Sequence, residues 1–196
     1  MVAPTIVAGG RQVFNIDAKL VRVFAPFLAR VLIVDPSPGP ARMLGEILRD
    51  ISPGEVWTAA TTPAALKLAE ATNPLLIFVE YQGEGLDGLS LTRKLRRSAF
   101  GCRMAPVIMT TSQATPAAIL GARDAGVHEF LRKPFTTGDL VKRLDAVTRQ
   151  PRRWIEATDY VGPDRRRFNS AEYQGSRKRR GDGSTGSPPS AIARAV

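Results

Sequence analysis

With 28 Lys and Arg against 18 Asp and Glu, this chain of 196 residues carries a formal net charge of +10, which points to an anionic partner: nucleic acid, nucleotide, acidic protein or membrane surface. One cysteine, Cys102, and one histidine, His128, exclude an internal disulfide and a thiolate or imidazole zinc site, so any metal chemistry would have to use carboxylates. No apolar run approaches the roughly 18 to 20 residues that span a bilayer, and the opening MVAPTIVAGGRQ lacks the charged and apolar segments of a signal peptide, so the expected compartment is the cytoplasm.

In chain order, residues 1–29 form an N-terminal extension. Within it DAKLVRVFAPFLAR places Leu20, Val23, Phe24, Phe27 and Leu28 at helical spacing, with Asp17 as N-cap and Pro26 as a kink or stop. That helix is expected to pack on the domain, with a docking or dimerisation helix as the rival reading. Residues 30–149 then alternate short apolar runs, at 31–34, 56–60, 75–79, 105–109 and 128–131, with helix-period segments at about 40–50, 63–71, 89–98, 115–125 and 137–149. This alternation predicts an α/β domain: a doubly wound, five-stranded parallel sheet with helices on both faces.

In such a sheet the crevices open at the carboxyl ends of the strands. The residues found there are Asp35 after the first run, Glu80 after the third, Thr110 to Ser112 after the fourth and Lys133 after the fifth. Two carboxylates, hydroxyls and an ammonium are therefore expected to meet at one edge. Each taken alone reads better as an ordinary loop residue; four at successive strand ends shift the balance.

Residues 150–180 form an arginine-rich tail and 181–196, rich in Gly, Ser and Pro, are expected to be disordered. From 151 onward there are ten basic and five acidic side chains, so this stretch holds half of the excess charge. Arg152 and Arg153 precede Trp154; Tyr160, Asp164 and Arg165, Arg166 and Arg167 follow; Arg177 to Arg180 close the series. Arginine forks suit phosphate and guanine edges, aromatic rings can stack on bases, and an aspartate can accept from a guanine edge. The competing readings are general polyanion or protein docking, and aromatics that merely pack the tail on to the domain.

Over about residues 30–149 these positions resemble the receiver domain of two-component response regulators, the chemotaxis-type fold with strand order 2-1-3-4-5. The resemblance rests on Asp35-Pro36, on Glu80 with Gly83-Glu84 and Asp87-Gly88, on Thr111, and on Lys133-Pro134-Phe135, with Phe130 in the place of the switch aromatic. It implies a cis peptide before Pro134 and signalling by protein contact through the face made by the helix at 115–125, the strand at 128–131 and the helix at 137–149. The chain departs from the family in three ways. Pro36 replaces a metal-touching acid, Glu80 replaces the phosphoacceptor Asp, and Gly-Glu replaces Met-Pro in the following loop. Mg²⁺ wants several oxygen ligands and phosphoryl transfer wants accurate placement, so the metal site is expected to be lost and no cofactor or catalytic residue is expected.

The expected function is thus a stand-alone, atypical receiver rather than an enzyme, with Glu80 imitating the phosphorylated state within reach of Lys133 and Thr111. The plainer alternative is a Glu80–Lys133 ion pair that only neutralises two half-buried charges. The stretch YVGPDRRRF, with Trp154 upstream, is similar to the arginine-rich extension of chemotaxis-regulator-like proteins that bind cyclic di-GMP. That resemblance implies cyclic di-GMP as ligand of the tail; the alternative is an adaptor whose tail docks on RNA, DNA or an acidic protein surface. A homodimer is a further candidate, and a metal-dependent phosphatase is disfavoured by the lost acid.

Overall fold

The computed structural model describes residues 4–6, 12–14 and 16–167; Arg177 to Arg180 and the Gly-Ser-Pro stretch 181–196 lie outside the described residues. After two short antiparallel strands, β1 (Pro4–Ile6) and β2 (Gln12–Phe14), comes helix α1 (Ala18–Leu28). Asp17 caps α1 by accepting from the Lys19 amide, as expected, and Pro26 lies inside the helix near its end.

Five βα units follow. The strands are β3 (Arg30–Val34), β4 (Glu55–Ala59), β5 (Leu76–Glu80), β8 (Val107–Thr111) and β9 (Glu129–Arg132), all parallel, in the order β4-β3-β5-β8-β9. The helices are α2 (Pro38–Ile51), α3 (Thr62–Thr72), α4 (Gly88–Arg97), α5 (Pro116–Ala125) and α6 (Thr137–Arg149). A small hairpin, β6 (Gln82–Gly83) and β7 (Leu86–Asp87), interrupts the connection from β5 to α4. The expected fold class and strand order are therefore those observed, with element ends moved by one or two residues.

Period-two alternation along each strand divides the core in two. Leu32, Val34, Ile77, Val79, Val107 and Met109 face α3, α4 and α5. Val31, Ile33, Leu76, Phe78, Ile108 and Leu131 face α2 and α6, and α1 joins this second layer through Phe24 and Leu28. The first helix is thus a packed part of the domain, which is the reading its apolar stripe supported. Phe130 is fully buried in the first layer.

The arginine-rich segment takes a regular form that its sequence did not predict, with its aromatics packed on the domain as one of the competing readings had it. After Gln150 the chain forms an antiparallel hairpin, β10 (Trp154–Glu156) and β11 (Val161–Pro163), which packs on α4, followed by a 3-10 turn at Arg165–Arg167. The contact is made possible by two glycines: a Cβ on Gly162 would stand 3.0 Å from the Gly126 Cα, and Gly126 caps α5 with φ +92. That form went unpredicted because four isolated apolar or aromatic residues between prolines and glycines carry no periodic signal; their partners lie elsewhere in the chain.

Candidate functional site

The carboxyl ends of the sheet converge as the strand-end rule requires. Lys133, just past β9, places Nζ 2.7 Å from Asp35 Oδ2 and 2.5 Å from Glu80 Oε2. The backbone holds all three in place: Glu80 and Thr110 are registered neighbours on β5 and β8, and the Lys133 amide donates to the Thr111 carbonyl at 2.6 Å. The peptide bond between Lys133 and Pro134 is cis, as the resemblance implied. Asp35 and Glu80 are buried, and the Asp35 Oδ1 accepts from the Ser37 amide at 2.8 Å.

The hydroxyl beside Glu80 differs from the one expected. Thr110 Oγ1 donates to Glu80 Oε2 at 3.2 Å, whereas Thr111 Oγ1 accepts from the Gln113 amide at 3.0 Å. Adjacent strand residues point to opposite faces, and Thr110 is the one that shares a face with Glu80. That alternation, applied to β8 in the sequence, would have picked out Thr110. Thr111 thus turns a loop and does not hold the carboxylate.

Burial alone would push the Lys133 ammonium down, but its hydrogen bonds to Asp35 and Glu80 and their negative charges outweigh that and raise it. One lysine between two carboxylates leaves a formal charge of −1 in a mostly enclosed site. The residues present do not fit Mg²⁺. Octahedral coordination needs several free oxygens. Here one oxygen of each carboxylate already binds an ammonium, and Pro36 offers ring carbons instead of a third donor. Among the described residues, no three His, Cys, Asp or Glu side chains cluster to hold a metal. The Pro36 ring also explains the altered loop: a Cβ on Gly83 would come 2.7 Å from Pro36 Cγ, so the proline and the glycine are mutually fitted.

At the opposite, amino-terminal end of the sheet lies a second polar centre that the sequence did not announce. Arg96 is fully buried and donates to the carbonyls of Gly126 (3.0 Å), Arg103 (2.6 Å) and Ala105 (2.8 Å), with Nη2 3.2 Å from His128 Nδ1. Burial drops its guanidinium to about 9. His128 Nδ1 also accepts from the Val107 amide at 3.2 Å, so the nitrogen facing both donors carries no proton. Burial first, and then the charges of Arg96 and Arg152, hold this imidazole well below its ordinary value.

Several residues expected to touch a nucleotide are used here within the chain. Arg152 Nη2 donates to the His128 carbonyl at 2.5 Å and pairs with buried Glu129 at 3.0 Å, and Arg143 reaches the same carboxylate at 3.5 Å. The Trp154 ring lies beneath the guanidinium carbons of Arg96 and Arg103, at 5.4 and 5.9 Å from its centroid. Tyr160 is buried with its hydroxyl donating to the Pro163 carbonyl at 2.5 Å. Arg165 stacks over Tyr160 at 4.7 Å and pairs with Asp124 and Asp159 at 3.6 and 3.8 Å. Arg153 and Arg166 are exposed, and Asp164 Oδ1 accepts from the Arg166 amide at 3.0 Å. For Arg167 only the backbone turn is described.

Residues 31–145 match the family model described as the response regulator receiver domain. Among curated proteins, chemotaxis protein CheY-3 of Vibrio cholerae is 27% identical over 118 residues, which are 60% of this chain and 90% of the relative. The cyclic di-GMP phosphodiesterase response regulator RpfG of Xanthomonas campestris is 32% identical over 114 residues, 58% of this chain but only 30% of that longer protein. Among solved structures, chemotaxis protein CheY4 of Vibrio cholerae superposes with a TM-score of 0.57 at 28% identity, covering 61% of this chain and 98% of that one. Family match, sheet order and the Asp35, Glu80, Lys133 convergence agree, and the chain belongs to the response regulator receiver domain family.

Proposed function

We propose that this receiver signals by protein contact without a phosphorylation cycle of its own, Glu80 standing permanently where the family carries its phosphoacceptor. The observation that carries the reading is the Lys133 ammonium bridging Asp35 and Glu80, in a site where Pro36 removes a metal donor. An aspartyl phosphate would present negative oxygens to that lysine; here the longer Glu80 side chain already does so. The outlet is the face of α5, β9 and α6, offered to another protein or to a second copy of this chain in the cytoplasm. No helix among the described residues is long and apolar enough to cross a membrane.

Two measurements test this reading. Incubation with acetyl phosphate and Mg²⁺ should leave the intact mass unchanged; a phosphorylated species would overturn the proposal. In Glu80→Gln, amide NMR shifts should spread from the site across α5, β9 and α6 if Glu80 sets their conformation. Changes confined to residues touching Lys133 would reduce Glu80 to the partner of a neutralising ion pair.

The hairpin and its continuation are proposed to bind cyclic di-GMP, through Asp164 with Arg166 and Arg167 on a guanine or phosphate. Exposed Arg153 and Arg166 support this, together with an Asp164 carboxylate fixed by its own turn. Arg152, Trp154 and Tyr160 could join only by leaving their contacts on the domain. Titration calorimetry of the full chain with cyclic di-GMP, GTP and a short RNA should give heat with the cyclic dinucleotide alone, lost in Asp164→Ala; equal signals with all three would favour the polyanion-docking adaptor.

A further inference from the structure

The hairpin packs against a charged strip of the receiver and carries exposed arginines of its own. On α4, Arg93, Lys94 and Arg97 are exposed while Leu91, Leu95 and Arg96 are buried, so the cations occupy the solvent stripe of the helix. Arg93 and Arg97 are separated by about 6 Å along the axis, four residues at roughly 1.5 Å each. The hairpin adjoins the end of this stripe: Arg97 Nη2 donates to the Thr158 carbonyl at 3.4 Å. On the hairpin, Trp154 turns inward to Arg96, which leaves its neighbour Arg153 facing outward, and Arg166 is exposed beyond β11.

Carboxylates in the neighbourhood do not cancel these charges. Glu156 is paired with Arg103, and Asp124 and Asp159 are paired with Arg165. Asp164 Oδ1 accepts from the Arg166 amide, which leaves its negative charge in place, so one carboxylate stands beside the five cations. Arg93, Lys94, Arg97, Arg153 and Arg166 therefore stand without an ion pair among the described residues. Like charges gathered this way repel one another and gain by meeting a polyanion.

Which polyanion fits follows from what the surface lacks among the described residues. Single-strand binders stack bases on exposed aromatic rings. The two aromatic side chains of the hairpin, Trp154 and Tyr160, are instead turned on to the domain, and Tyr160 is buried. What remains is guanidinium and ammonium groups on a helix and a hairpin, whose commonest nucleic-acid partners are phosphate oxygens. We propose that α4 and the C-terminal hairpin together form a docking surface for the phosphate backbone of double-helical nucleic acid, bound without sequence preference. This is independent of the state of Glu80, and it shares Arg153 and Arg166 with the proposed cyclic di-GMP site at Asp164.

The test is fluorescence anisotropy of the full chain with a labelled duplex of about 20 base pairs, its shuffled sequence and a single strand of equal length, from 50 to 200 mM salt. If all five cations engage phosphates, affinity should fall with a logarithmic slope of about −4.5, roughly 500-fold over that range. Arg93→Gln/Lys94→Gln removes two contacts from the receiver and none from the tail. Its slope should flatten to about −2.7, roughly 40-fold over the same range, with thermal unfolding unchanged. Absence of duplex binding at 50 mM salt overturns the proposal, as does an unchanged slope in the double variant, which would assign binding to residues beyond the hairpin. Tighter binding to the single strand, or to vesicles containing phosphatidylserine, also overturns it in favour of that partner.

Discussion

Titrating the only histidine in the chain isolates the buried network at the amino-terminal end of the sheet. His128 is held neutral by burial and by two neighbouring guanidiniums, its Nδ1 accepting from Val107 and facing Arg96. In the unfolded chain it would protonate near 6.5. With the folded value depressed, the unfolded state binds the extra proton as pH falls, so folding loses stability below about pH 6.5. One unit below, at pH 5.5, the loss is on the order of 1 kcal/mol relative to pH 7.5. Urea unfolding at pH 7.5 and 5.5 should show this difference in the natural protein. In His128→Gln, whose amide oxygen can accept the same two donors, that share of the pH dependence should vanish. A single imidazole also permits a direct check, because its proton NMR shift should stay constant from pH 7.5 to 5.5. A midpoint between 6 and 7 would refute the account of an enclosed acceptor facing two cations.

Three further perturbations probe the hairpin and the carboxylate site. Gly162→Ala would bring a Cβ to 2.8 Å from the Tyr160 hydroxyl and 3.0 Å from Gly126 Cα. It should weaken hairpin docking by about 1 to 3 kcal/mol, and in a Trp57→Phe background the Trp154 emission should shift toward that of a solvated indole. Arg152→Met leaves buried Glu129 with Arg143 at 3.5 Å, and breaking such a pair costs about 3 kcal/mol at pH 7. Burial already raises the Glu129 carboxyl against the pull of its arginines, so the penalty in denaturant titrations should shrink as pH falls and that carboxylate is neutralised. For Lys133 the folded value is raised, so its contribution is complete well below its ordinary value near 10.5 and disappears as pH climbs through the folded one. Unfolding at pH 9 and 11 should show that loss in the natural protein and not in Lys133→Met.

The carboxyl-edge geometry of the sheet was legible because it is written locally and in order. Each apolar run ends at a strand terminus, and a parallel sheet gathers those termini, so Asp35, Glu80 and Lys133 could be brought together from spacing alone. The choice between Thr110 and Thr111 needed the pleat, which fixes the face of every strand residue once Glu80 is paired with Thr110. The fit of Pro36 against Gly83 needed contact between two loops, and so neither departure explained the other in one dimension.

Amino-acid order by itself determined the five βα units and the acidic and basic groups at the sheet's carboxyl edge, because periodicity and strand-end position are short-range properties; the strand order was implied only by the family resemblance. Only the tertiary structure decided the fate of the arginine-rich segment. Arg152 found Glu129, Trp154 found Arg96 and Gly162 found Gly126 across separations of 23, 58 and 36 residues. Those partners are set by packing of α4, α5 and β9, and no local pattern encodes them. Composition supplied the positive charge; the docked hairpin decided which arginines are buried in the domain and which face solvent.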